Sequence, residues 1–127
     1  AEVIKYGFVC SAALLNRLES GDLQRLLQRE PETVTSIIRD CVDIKASVVA
    51  QDEFDKLGIR NVLNFGHTIG HALELSADYQ LTHGEAIAIG MLAATRLSIR
   101  LNRCSPDILT RLQNLLSVAG PRNGRSF

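Results

Sequence analysis

The chain's three histidines, His67, His71 and His83, fall within seventeen residues of one another. Imidazole binds divalent metals and exchanges protons near neutral pH, so such a cluster points toward a metal centre. At about 100° per residue, a helix running from Ile59 or Arg60 to near Ser76 would place Arg60, Asn64, His67 and His71 within an arc of roughly 60°. Water is the usual neighbour of a polar stripe, and backbone-capped core histidines are the other ordinary reading. Solvated faces favour Glu and Lys, however, whereas this stripe offers a guanidinium, an amide and two imidazoles, groups suited to anions and metals. The run His67-Thr-Ile-Gly-His71 lacks the glutamate of the His-Glu-x-x-His zinc-protease motif, so that chemistry is not expected.

The elements that must position these groups read as helices. Opposite the stripe lie Val62, Phe65, Ile69, Ala72 and Leu73, which predict a buried back, and Gly66 and Gly70 form a small pair that would admit a close neighbour helix. Thr82 and Glu85 have the spacing of a capping box, which sets His83 in the first turn of the next helix. That helix, over residues 85–101, is apolar almost all round as far as Arg96 and is expected to be central and buried. Before the stripe, Leu14, Leu15 and Leu18 predict a helix over 11–20 that stops at Gly21, followed by a short one over 22–29. Pro31 opens a long helix toward Gln51, and the charged stretch 52–58 reads as a loop closed by Gly58. Ser105-Pro106-Asp107 starts a last helix, and 121–127 reads as a disordered tail. Residues 3–9 could pass for a short strand, but the pattern predicts an all-α fold, a helical bundle forming one domain over 1–120.

Fourteen basic residues balance fourteen acidic ones, so no global field recruits nucleic acid or an anionic membrane. Cys10, Cys41 and Cys104 are widely spaced and read as reduced core residues of a cytoplasmic protein rather than a disulfide framework. The longest apolar stretch, 86–94, falls short of the roughly 20 residues needed to span a bilayer.

Three runs together resemble the C-terminal domain of the 3-dehydroquinate synthase family: Ala1-Glu-Val-Ile-Lys5, Asn64-Phe-Gly-His-Thr-Ile-Gly-His-Ala-Leu-Glu74 and His83-Gly-Glu-Ala-Ile-Ala-Ile-Gly-Met91. Lys45-Ala46 and Arg60-Asn61 match as well, and the resemblance extends from residue 1 to about 118. It implies a Zn2+ ion, replaceable by Co2+, held by Glu2, His67 and His83. It implies that His71, Lys5, Lys45, Arg60 and Asn64 contact a phosphorylated small-molecule substrate. The implied reaction is a carbon–oxygen lyase step of the shikimate pathway, converting 3-deoxy-D-arabino-heptulosonate 7-phosphate to 3-dehydroquinate with release of phosphate and transient oxidation by NAD. The resemblance also implies a homodimer.

No glycine-rich strand-turn-helix unit for NAD occurs in this chain, and in the family that unit precedes this region. Both ends are therefore expected to be truncated and the piece alone inactive. Asp55 stands where the family usually has a glutamate, the loop before Arg60 is one residue longer, and no lysine follows Lys56 to contact phosphate. Two other readings remain open: a sister NAD- and zinc-dependent sugar-phosphate cyclase, and a non-enzymatic helical metal-binding module. A metal-dependent polyol dehydrogenase is disfavoured, because that branch generally has an aspartate at the position of Glu2.

Overall fold

A computed structural model describes residues 1–77 and 80–120, and all the regular structure among them is helical. The tail 121–127 lies outside the described residues. The chain divides into two compact units, one of residues 3–64 and one of residues 1–2 with Phe65 onward.

All of α1 (Glu2–Val9) but Glu2 belongs to the first unit, and it takes in the segment that could pass for a strand. Its Ile4 and Tyr6 are buried, and Gly7 lies against the backbone of Leu15, 3.2 Å from where a β-carbon would stand. Ser11 caps α2 (Ala12–Arg17) by accepting the Leu14 N–H at 3.1 Å. The expected stop at Gly21 is a kink: a π turn over Leu18–Asp22 carries Gly21 at φ 115° and leads into α3 (Leu23–Leu27). Arg17 ties the kink to α4 (Pro31–Gln51) by pairing with both Asp22 and Asp40. Leu14, Leu15, Leu18, Leu23 and Ile37 are the buried apolar residues that these helices contribute.

The predicted helix from Ile59 to Ser76 is two elements. A 3-10 turn covers Ile59–Asn64, and α5 (His67–Ser76) begins only after Gly66, whose φ of 81° belongs to the left-handed region. The four-residue stripe on one continuous helix does not exist. Nor is the back buried, with Val62 at 39% and Ile69 at 37% exposure.

In the second unit α5 packs on α6 (His83–Arg100) through glycines. A β-carbon on Gly90 would collide with the Gly66 carbonyl oxygen, and one on Gly70 would stand 2.7 Å from Ile87 Cδ1. The capping box forms as expected: Thr82 N–H donates to Glu85 Oε2 at 2.9 Å, and Glu85 N–H to Thr82 Oγ1 at 3.4 Å. Ala86 to Ala88 and Gly90 to Leu92 are buried, but the far end of α6 is open, with Leu97 56% exposed. Leu112, Leu115 and Leu116 of α7 (Asp107–Ala119) complete this core. The three cysteines are half-buried thiols rather than core residues.

Candidate metal centre

The first turn of α1, the first turn of α5 and the first residue of α6 each bring one ligand-capable side chain to the same place. Single ligand atoms of Glu2, His67 and His83 all lie within 4.8 Å of one another. His67 Nε2 stands 3.3 Å from Glu2 Oε1, which is itself buried. The other ring nitrogen of His67, Nδ1, lies 3.2 Å from the Phe65 carbonyl oxygen. A carbonyl only accepts, so that contact is a hydrogen bond only if Nδ1 carries the proton, which in the neutral ring leaves the lone pair on Nε2. A lone pair facing a carboxylate oxygen is repulsive unless a cation or a second proton lies between them. Two imidazole nitrogens and a carboxylate oxygen are the donor set of a three-ligand catalytic divalent site with room for substrate, so these residues could hold such an ion.

His71 and Glu74 adjoin this group. His71 is exposed, and its ring centroid lies 5.4 Å from that of His67 and 6.0 Å from that of His83. Glu74 Oε1 lies 3.1 Å from His83 Nδ1, and His71, Glu74 and His83 form a second potential ligand group sharing His83. Glu74 lies within the histidine-bearing motif, which by itself gives it no role. Its position seven residues after His67 on a helix was the available signal.

The remaining candidates belong to the other unit. Lys5 is 3% exposed and donates from Nζ to the Leu63 carbonyl at 2.9 Å, with its ammonium 5.0 Å from the Tyr6 ring centre. Leu63 is in the 3-10 turn that also carries half-buried Arg60 and exposed Asn64. Lys45 is exposed on α4. The loop before this turn is organised by Asp52, a residue the sequence reading treated only as part of a charged stretch. Its carboxylate accepts the N–H groups of Lys56 at 2.8 Å, Leu57 at 3.1 Å and Ile59 at 3.1 Å. Burial by itself would raise the Asp52 pKa, but these backbone donors, with that of Arg60, outweigh it and hold the carboxyl below its ordinary value. Burial pushes the Cys10 thiol up from its ordinary value against an opposing pull from the Lys5 ammonium. A separate cavity of about 560 Å³ between α6 and α7, lined by Arg96, Arg100 and Leu109 among others, contains none of the candidate residues. No helix of the described residues is long and apolar enough to cross a membrane.

Known proteins similar to this chain share one name. Residues 1–123 match the family model described as 3-dehydroquinate synthase C-terminal. The chain is 46% identical over 128 residues to the 3-dehydroquinate synthase of Dehalococcoides mccartyi strain CBDB1, with all of the chain and 35% of that protein covered. It is 47% identical over 121 residues to that of Methylococcus capsulatus, covering 94% of the chain and 33% of the relative. For the Haemophilus ducreyi protein of the same name, identity is 44% over 120 residues, with 94% and 33% covered. The chain thus spans about a third of the length of these relatives. With the match running through both units, the chain belongs to the 3-dehydroquinate synthase C-terminal domain family.

Proposed function

We propose that this chain is the metal- and substrate-binding helical part of a 3-dehydroquinate synthase, a lyase of the shikimate pathway that acts on 3-deoxy-D-arabino-heptulosonate 7-phosphate. The observation that carries the reading is the convergence of Glu2, His67 and His83, whose ligand atoms lie within 4.8 Å of one another, with His67 Nε2 3.3 Å from Glu2 Oε1. Zn2+ or Co2+ bound there would act as a Lewis acid toward substrate oxygens.

The chain's own residues do the rest of the binding. His71, exposed beside His67 and His83, is placed to exchange a hydrogen bond or a proton with a substrate hydroxyl. Arg60 offers a planar fork of donors for carboxylate or phosphate, and Asn64 an amide for hydroxyl groups. Lys5 holds its charge in a direction fixed by the Leu63 carbonyl, and Lys45 supplies a further positive donor from α4. The reading assigns NAD binding to the remaining length of the full protein, which would act as a homodimer in the cytoplasm. The relatives' shared name favours this synthase over a sister cyclase.

In a full-length protein containing this chain, phosphate release from the heptulosonate substrate should require NAD and stop on chelation. His67→Ala and His83→Ala should each abolish it and weaken Zn2+ uptake by more than the ~100-fold typical of losing an outer partner. Turnover indifferent to chelators and to both substitutions would overturn the proposal. The chain alone should release no phosphate.

A further inference from the structure

The geometry points to Glu74 as a positioning residue that holds His83 in the tautomer and orientation a metal ligand needs. This inference deepens the metal reading of Glu2, His67 and His83 and rests on it. Glu74 has had no role so far, yet its carboxylate lies within hydrogen-bond distance of His83: Oε1 is 3.1 Å from Nδ1. An ionised carboxylate only accepts, so the contact is a hydrogen bond only if Nδ1 carries the proton. In the neutral ring that leaves Nε2 with the lone pair, the same state that a hydrogen bond from Nδ1 to the Phe65 carbonyl gives His67. The two histidines of the centre therefore share one arrangement, in which Nδ1 is tied down and Nε2 is presented.

His83 needs the tie more than His67 does. It stands at the first position of α6 with half of its side chain exposed, against 17% for His67. An exposed imidazole at a helix start samples several rotamers and both tautomers, and only some of these direct Nε2 at the other ligands. Glu74 can restrain it because its own side chain is only 15% exposed and rises from the third turn of α5, which is packed glycine-to-backbone against α6. A carboxylate hydrogen-bonded to the outer nitrogen also makes the inner nitrogen a stronger donor.

The competing role is that Glu74 is itself a ligand, in the group it forms with His71 and His83. Variants separate the two. As a positioning residue, Glu74→Ala should weaken Zn2+ binding about 10–100-fold, as loss of an outer-shell partner does, while Glu74→Gln, whose amide oxygen still accepts from Nδ1, recovers most of the affinity. His71→Ala should bind Zn2+ like the native protein, and Glu2→Ala should lose it. In the metal-free protein, 15N shifts should show His83 protonated on Nδ1 in the native form and in Glu74→Gln, and a mixture of tautomers in Glu74→Ala. Thermal unfolding of the metal-free variants checks that each has folded.

Native affinity in Glu74→Ala, or an unchanged His83 tautomer, would overturn the inference and leave the metal centre standing. So would loss of Zn2+ in both His71→Ala and Glu74→Gln with Glu2→Ala unaffected, which would make Glu74 a direct ligand. Failure of the native protein to bind Zn2+ or Co2+ overturns the metal reading itself, and the tautomer measurement then decides alone whether Glu74 holds His83.

Discussion

The two units place their candidate site residues by different physical means. In the histidine-bearing unit, close helix packing does it: Gly66, Gly70 and Gly90 remove the β-carbons that would separate α5 from α6, and His67 and His83 stand at the starts of those two helices. In the unit of residues 3–64, the 3-10 turn carrying Arg60 and Asn64 has no buried residue and is held by polar ties, Asp52 to the backbone before it and Lys5 to Leu63 within it. Metal ligands must converge on one point within tenths of an ångström, which rigid packing provides. For the substrate donors proposed above, looser placement is tolerable, and a loop pinned by hydrogen bonds suffices.

The sharpest way to break the contrast is Gly90→Ala. The new β-carbon would fall on the Gly66 carbonyl oxygen, a backbone atom that cannot rotate away. Overpacking of this kind costs about 1–3 kcal/mol or more, so the variant should melt earlier and lose Zn2+ affinity with no ligand touched. Stability and affinity both unchanged would show that the α5–α6 contact does not set the centre.

A smaller and more local effect is expected of Asp52→Asn. Amide exchange at Lys56, Leu57 and Ile59 should accelerate while Zn2+ binding stays as it was, because the loss is confined to the loop. The pH dependence has a definite sign. Since the folded pKa lies below the ordinary 3.8, the carboxylate's contribution is complete above that value and is lost as pH falls through the lowered folded value. Loop protection in the native protein should therefore persist at pH 5 and fade only in stronger acid, and its disappearance between pH 7 and 5 would contradict the assignment.

Least is expected of Thr82→Ala. Removing a capping hydroxyl costs about 1 kcal/mol, and because His83 is the next residue, fraying there should bring a modest loss of metal affinity as well. A fall in stability with affinity untouched would mean that Glu74 alone keeps His83 in place.

Local patterns in the sequence carried a large part of this. The capping box before His83, the proline start of α4 and the helical spacing of the leucines are near-neighbour effects, decided within a few residues, and each forms as read. The resemblance to a family, carried by the histidine runs, is borne out by the match over residues 1–123. Where periodicity failed, the cause was long-range. The spacing of Arg60, Asn64, His67 and His71 fits one helix, and nothing in their own types forbids it. The break comes from Gly66 adopting φ 81° against Ile87 and Met91, residues more than twenty positions away. Equally, that Asp52 would gather four backbone donors and Glu74 would reach His83 depended on where the chain turned. The sequence by itself determined several helix starts, which side chains could bind a metal and the family the chain belongs to. Only the tertiary structure decided which of those side chains converge, because convergence depends on how closely two backbones approach and not on the spacing along either one.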